Sequence, residues 1–207
     1  MGTDAPESTP KHTIHSAERE VTPAFTLNQV GKLAIERARE DGRAQFLDVL
    51  TAQLMCALTL EAVLNHVGKK LFVEDADEPQ VWAAVERRSP KEKLAAIGER
   101  TRVRFDLGKT PFQDFVPMFR FRDDLAHGKS LYLRTNNIPP EAISAEGDLL
   151  ERYAPDLQSK WERDCDLETA GRWRNSVYGI TDALCTAADC VNPVRAGFHT
   201  EWSGGVA

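Results

Sequence analysis

Apolar residues recur every three or four positions over most of the chain, which is the spacing of one face of an α-helix. The longest such stretch, residues 43–72, contains no proline and a single glycine, and its apolar positions are Leu47, Leu50, Leu54, Leu58, Val63, Leu64, Val67 and Leu71. A second stripe, over residues 167–191, consists of Ala170, Trp173, Val177, Ile180, Leu184, Ala187 and Val191. These patterns predict an all-α fold built on a long second helix and a long C-terminal helix.

Shorter helices are predicted around these two. They fall at about residues 26–40, 80–88 and 89–100, with further short helices within 148–163. The start at Ser89 is well defined, because Ser89 can cap the helix while Glu92 reaches back to complete a capping box.

A further helix is predicted to end at Gly128, a residue that favours the left-handed cap. Its start resembles a second capping box, in which Thr110 caps, Pro111 opens the first turn and Gln113 closes the box. Pro117 falls inside the same run and is expected to kink the helix.

The remaining segments define the domain organisation. Residues 1–22 are rich in proline, serine, threonine and charge, show no periodicity and are predicted to be a disordered tail. Residues 23–192 are predicted to form one helical domain, followed by a tail over 193–207. Within the domain, residues 129–147 are the least helical part. The sequence is compatible there with either a small β-hairpin or an ordered loop.

Composition narrows the class of protein. The chain has 207 residues, 42% of them hydrophobic and 28% charged, which suits one domain with a buried core. A formal net charge of −6 argues against a broad basic surface that grips nucleic acid non-specifically, although it is compatible with a local basic cleft.

Cysteines and polar interruptions bear on metal sites and on the membrane. The four cysteines form no CxxC and no paired spacing with histidine, so no zinc site is predicted, and their dispersion favours a reduced, cytoplasmic protein. Gln53, Glu61, Asn65 and His66 interrupt the longest apolar stretch, so no membrane span is predicted. The polar N-terminus predicts no signal peptide.

Candidate chemistry is concentrated at the end of the helix that precedes Gly128. Arg122, Asp123, Asp124 and His127 fall within six consecutive positions. An imidazole with a reference pKa of about 6.5 can exchange protons at neutral pH, and a guanidinium binds phosphate oxygens in a fork. Together they suit cleavage of an RNA phosphodiester, in which the 2′-hydroxyl supplies the nucleophile and no metal or cofactor is needed.

The spacing of Arg122 and His127 constrains how they can meet. Five residues on an ideal helix separate two side chains by about 140°. Either a frayed last turn brings His127 round, or a second copy of the chain completes the cleft across a two-fold axis. Asp123 or Asp124 can orient His127 or hold Arg122 in its rotamer.

Other polar residues are secondary candidates. Arg120 and Lys129 can add phosphate contacts, or can be ordinary surface charges. Glu61 and Asn65 form an i,i+4 pair beside the apolar face of the long second helix. They are either a polar edge that meets solvent or a carboxylate and an amide that lean into a site.

The sequence Arg122-Asp123-Asp124-Leu125-Ala126-His127 resembles the R-x4–6-H signature of the HEPN superfamily. Members are small all-α domains, usually dimeric, and many are metal-independent endoribonucleases of toxin–antitoxin and phage-defence systems. The resemblance implies that Arg122 and His127 are the catalytic pair and that Asp123 occupies the polar position after the arginine. It also implies an RNA substrate, a homodimer and an antitoxin or defence partner.

One part of the family pattern is missing from this chain. Some members carry a tyrosine two positions after the histidine, where a partner modifies it. That position is Lys129 here, and the nearest tyrosine is Tyr132.

Two other interpretations stay open at this point. The motif can be an ordinary helix end, with Arg122 paired to a carboxylate and His127 next to the helix dipole, in a non-catalytic dimerisation or interaction module. A nucleotide-binding sensor is a weaker alternative, because the sequence has no glycine-rich phosphate loop.

Overall fold

The computed structural model describes residues 22–40, 45–128, 132 and 158–195, together with the backbone of residues 16–18 and 201–203. The helices in these ranges are α1 Ala24–Glu40, α2 Gln45–Lys69, α3 Pro79–Glu86, α4 Pro90–Thr101, α5 Phe115–His127, α6 Lys160–Arg163 and α7 Leu167–Ala188. A π-helical turn, Lys70–Glu74, continues α2, and a 3-10 turn, Phe112–Asp114, precedes α5. The predicted all-α class is confirmed.

The chain divides into two compact units, and residues 22–197 form the helical one. In the other unit, β1 Ser16–Glu18 pairs antiparallel with β2 Glu201–Ser203, and Ala17 lies opposite Trp202. The sequence predicted no regular structure at these positions, because no local pattern reveals a partner at the opposite end of the chain. Of the predicted tails, residue 22 and residues 193–195 are also described, and Val194 is buried in the main apolar cluster of the helical unit. The other residues of the predicted tails lie outside the described residues. So does the predicted hairpin or loop at 129–147, apart from the exposed Tyr132.

The long second helix is the centre of the helical unit. α2 contacts α1, α4, α5 and α7, and its side chains Leu60, Val63, Leu64 and Val67 are buried. They belong to one apolar cluster with residues of the neighbouring helices, among them Ile97, Phe115, Met118, Ile180 and Leu184. Removal of this apolar surface from water is the main favourable contribution to folding, and it fixes the helices around α2.

Residues Gln45–Glu74 are also long and apolar enough to cross a membrane, judged by length and composition alone. The same residues supply much of the buried core, and core helices meet that criterion as well. The absence of a membrane span therefore stays a prediction.

The predicted start of α4 is confirmed in detail. The backbone N–H of Glu92 donates to Ser89 Oγ at 3.4 Å, and the backbone N–H of Ser89 donates to Glu92 Oε2 at 3.0 Å. All the groups needed for this capping box lie within four residues, so a local pattern was sufficient to predict it.

The predicted start of α5 is wrong. Thr110 does not cap the helix, which begins at Phe115 after the 3-10 turn. Contacts with distant residues set this start: Phe112 packs against Phe105 with ring centroids 5.0 Å apart, and the buried Asp114 carboxylate accepts a 2.7 Å hydrogen bond from Ser176 Oγ. Pro117 consequently falls in the first turn, where its missing N–H removes no helical hydrogen bond, so the reason for the predicted kink disappears.

The C-terminal ends of α5 and α7 use left-handed residues. Gly128 ends α5 with φ 48°, as predicted. α7 ends at Ala188, three residues before the predicted end at 191, because Asp189 adopts φ 48° and turns the chain.

Candidate functional site

Arg122 lies where α5 meets α2. Phe115, Met118 and Phe119 on α5 are buried in the core, and this packing brings Arg122, one turn after Phe119, against α2. The guanidinium carbon lies 5.1 Å from the centre of the Phe119 ring, and 19% of the Arg122 side chain is exposed. The charged group is thus mostly withdrawn from water and supported on an aromatic face.

Two carboxylates hold the guanidinium. Arg122 Nε and Nη2 donate to Asp123 Oδ1 at 3.0 and 2.7 Å, and Nη1 donates to Glu61 Oε2 on α2. Burial opposes the charge on Arg122, but the hydrogen bond with Asp123 and the negative charges of Glu61 and Asp123 outweigh it. As a result, the pKa of the guanidinium is raised above its ordinary value.

A second cation joins Glu61 from the other side. Lys93 Nζ lies 3.7 Å from Glu61 Oε1 and donates a 2.8 Å hydrogen bond to Asn65 Oδ1, and only 4% of the Lys93 side chain is exposed. Glu61 therefore bridges Lys93 on α4 and Arg122 on α5. We call Glu61, Asn65, Lys93, Arg122 and Asp123 the Arg122 cluster.

The structure brings together some predicted residues and adds one. The sequence left two environments possible for Glu61 and Asn65, a solvent-exposed edge and a site. In the structure both make contacts inside the Arg122 cluster. Lys93 was not singled out from the sequence. Its position carried a signal, because Lys93 lies on the buried stripe of α4 beside Leu94 and Ile97, where a lysine needs a partner.

His127 is not part of the Arg122 cluster. It is exposed in the last turn of α5, and among the described residues it makes no hydrogen bond. α5 stays helical through His127, so the frayed last turn that would bring the imidazole round to Arg122 is not observed. Asp123 contacts Arg122, which is the second of the two roles foreseen for it.

Arg120 and Asp124 lie at a different place. They line a cavity of about 100 Å³ together with Val116, Pro117, Phe121, Lys160, Trp161, Asp164 and Trp173. Within the described ranges neither side chain forms a hydrogen bond or ion pair with the Arg122 cluster. Lys129, the other predicted phosphate contact, lies outside the described residues.

A larger cavity, of about 410 Å³, lies elsewhere on the helical unit. The end of α4 and the loop after it form this cavity, which is lined by residues such as Leu94, Arg102, Arg104 and Phe105 and includes neither Arg122 nor His127. In the part of the chain that the structure describes, no group of three or more histidine, cysteine, aspartate or glutamate residues could hold a metal ion.

The Arg122 cluster can position a cation for an anionic ligand. A guanidinium has five N–H donors, and the hydrogen bonds to Asp123 and Glu61 use three of those of Arg122. Among the described residues nothing accepts from the other two donors, which are left for an oxyanion on a side chain whose rotamer is already fixed. The cluster also holds equal numbers of formal positive and negative charges, so an arriving phosphate has to compete with carboxylates.

Comparisons with known proteins add no family to this picture. The chain matches no family model, no curated protein and no solved structure. A functional assignment therefore rests on the Arg122 cluster, on His127 and on the sequence motif that contains both.

Proposed function

We propose that the protein is a metal-independent endoribonuclease of the HEPN type, acting as a cytoplasmic homodimer in toxin–antitoxin or phage defence. The observation that carries the proposal is the state of Arg122. Its guanidinium is partly buried, is fixed by two carboxylates and keeps two donors that no described residue uses. An exposed imidazole follows five residues later. A preorganised cation and an accessible acid/base group are the two components that phosphodiester cleavage without metal requires.

Each residue has a role in the proposed reaction. Arg122 binds the non-bridging phosphate oxygens and stabilises their extra negative charge in the transition state. His127 accepts the proton of the 2′-hydroxyl or donates one to the leaving oxygen, as a general acid/base. Asp123 and Glu61 position Arg122, and Asn65 supports Glu61 through Lys93.

Arg120, Asp124 and Lys129 have lesser parts in the proposal. Arg120 is exposed on α5, and Lys129 follows Gly128 in the sequence. In the proposal both add contacts to the RNA backbone away from the scissile phosphate. Asp124 lies beside Arg120 at the smaller cavity and has a supporting part only.

The regular geometry of α5 favours a site shared between two copies. In one chain the two side chains project about 140° apart along an intact helix, and that helix ends only at His127. A two-fold axis near the end of α5 would place Arg122 of one copy opposite His127 of the other. The dimer is therefore part of the proposed catalytic unit.

The test is RNA cleavage in excess EDTA by the wild type, Arg122→Ala and His127→Ala. Loss of the acid/base group should lower the rate by roughly 10²–10⁴-fold, and loss of the phosphate-binding cation by a similar factor. Arg39→Ala is the matched control, because Arg39 is an exposed cation at the end of α1, and it should cleave like the wild type. Circular dichroism would verify that each variant is folded.

Equal cleavage by all four proteins would contradict the proposal, because the activity would then come from a contaminant or from another site. So would an absence of cleavage by the wild type on transfer, ribosomal, messenger and small structured RNAs.

A second candidate function is a non-catalytic helical module that dimerises or binds a partner protein. The charge balance of the Arg122 cluster favours it, because Glu61 and Asp123 already satisfy the guanidinium. In that case the wild type would self-associate or bind its partner without cleaving RNA. Arg122→Ala would lower the free energy of unfolding and would change no catalytic rate.

A further inference from the structure

The C-terminal end of α7 brings two cysteines together. The N–H of Cys190 donates to the carbonyl of Cys185 at 3.0 Å, and the N–H of Asp189 donates to the carbonyl of Thr186 at 3.5 Å. With Asp189 at φ 48°, these bonds form a Schellman motif. The side chains at the positions of Cys185 and Cys190 normally touch in this motif, usually as an apolar pair. Here both of them are thiols.

The two thiols have different surroundings. Cys185 is buried in the main apolar cluster, and Cys190 is partly exposed just after the helix. His66 from α2 and Lys70 from the π-helical turn lie beside Cys190. A partly exposed thiol next to basic side chains is the kind of cysteine that reacts, whereas a fully buried one is normally inert.

The pKa values follow from these surroundings. A hydrogen bond from Cys185 is the main cause that lowers the pKa of Cys190, and burial raises it. His66 and Lys70 lower the pKa further, so that it falls to about 5. The same hydrogen bond, together with burial, raises the pKa of Cys185. The two shifts therefore favour the thiolate at Cys190 and the thiol at Cys185.

We propose that Cys190 and Cys185 are an oxidation site, in which hydrogen peroxide oxidises Cys190 and Cys185 then closes an intrachain disulfide. The backbone hydrogen bond between the two residues keeps their α-carbons close, and a disulfide requires a separation of about 4.4–6.8 Å. The Cys185 thiol donates to the carbonyl oxygen of Val191 at 3.8 Å, so it has to turn towards Cys190 before the disulfide closes. Since the backbone already brings the two residues together, this rotation of a side chain requires no movement of a helix.

The chemistry proceeds in two balanced steps. The Cys190 thiolate attacks one oxygen of hydrogen peroxide, the O–O bond breaks and hydroxide leaves, which gives a sulfenic acid. The Cys185 sulfur then attacks the Cys190 sulfur, the S–O bond breaks, and the departing hydroxide takes the Cys185 proton as water. The two sulfurs together lose two electrons, which the peroxide gains.

Cys165 is a natural control within the same chain. It is also partly exposed, but its thiol faces the carbonyl oxygen of Phe46 at 3.7 Å, and burial and the charge of Asp166 raise its pKa to about 11. Cys190 reacts faster than Cys165 because a larger fraction of it is thiolate. Its lower pKa also makes that thiolate a weaker nucleophile, which offsets part of the gain. At pH 7 we expect Cys190 to react roughly 10- to 100-fold faster than Cys165.

The experiment oxidises the full chain with hydrogen peroxide, denatures it, alkylates the remaining thiols and digests it with trypsin. Cys185 and Cys190 fall in one tryptic peptide, residues 175–195, which contains no other cysteine. We expect this peptide to lose two hydrogens and to resist alkylation until it is reduced. The peptides that contain Cys165 and Cys56 should stay fully alkylated.

Two variants separate the roles of the thiols. Cys185→Ser should stop at a sulfenic acid on Cys190, which dimedone traps, and Cys190→Ser should leave Cys185 reduced at the same peroxide concentration. If the 175–195 peptide of the wild type is alkylated at both positions after oxidation, the proposal is overturned. It is also overturned if Cys165 reacts as fast as Cys190, or if Cys190 pairs with a cysteine other than Cys185.

Discussion

Glu61 bridges the two cations of the Arg122 cluster, and Glu61→Gln removes its charge with little change in shape. Breaking a fully buried ion pair costs about 3–5 kcal/mol. The Glu61 side chain is 30% exposed, so solvent screening lowers this figure, but Lys93 is only 4% exposed and would lose its one nearby carboxylate among the described residues. We expect the free energy of unfolding to fall by about 1–3 kcal/mol.

The matched control is Asp123→Asn. Asp123 also pairs with Arg122, but half of its side chain is exposed and it contacts no second cation among the described residues. An exposed pair of this kind contributes about 0–1 kcal/mol. Urea unfolding followed by circular dichroism would measure the free energy of unfolding of both variants. In a thermal unfolding experiment the midpoint temperature should fall by about 2–4 °C for each kcal/mol lost.

A double-mutant cycle with Lys93→Met identifies the cause. If the cost of Glu61→Gln comes from the uncompensated Lys93 ammonium, removing that ammonium should relieve it, with a coupling energy of about 0.5–3 kcal/mol. Equal losses for Glu61→Gln and Asp123→Asn, or additive losses in the double variant, would refute the view that Glu61 compensates a buried lysine.

Two further predictions concern the packing of the fold. In Gly68→Ala the new Cβ would lie 2.0 Å from the Trp82 ring and should destabilise the protein by about 1–3 kcal/mol. Gly171→Ala should stabilise it by up to about 1 kcal/mol, because among the described residues its Cβ meets no atom within 4 Å apart from its chain neighbours and the nearby backbone of its own helix. Similar unfolding free energies for the two variants would contradict the Gly68–Trp82 contact. Ser176→Ala should cost about 1–3 kcal/mol in the same assay, because it removes a hydrogen bond from the buried Asp114 carboxylate, and an unchanged midpoint would show that this bond is not stabilising.

Local features were predictable from the sequence, and features that depend on distant contacts were not. The capping box of α4 and the left-handed end of α5 involve residues that are neighbours in the chain, and both were predicted correctly. The start of α5 was predicted wrongly because Asp114 bonds to Ser176 on α7, and nothing in the sequence around Thr110 indicates that partner.

The candidate site shows the same limit. Periodicity placed Glu61 and Asn65 beside the apolar face of α2, but it could not say which residues they would meet. Their partners, Lys93 and Arg122, come from two other helices. The angle between Arg122 and His127 could be predicted, because it depends only on helix geometry, whereas the regular last turn that preserves it had to be observed.

The most direct test of the proposed shared site is complementation between two inactive variants. Arg122→Ala and His127→Ala would each be assayed for RNA cleavage in EDTA, alone and after mixing in equal amounts under conditions that let subunits exchange. If Arg122 of one copy acts with His127 of the other, random exchange leaves about one quarter of the sites intact. We therefore predict that the mixture recovers about a quarter of the wild-type rate. If the wild type cleaves RNA but the mixture of the two variants does not, the site is not shared between copies. If the wild type does not cleave RNA, the proposal that the protein is a nuclease is contradicted.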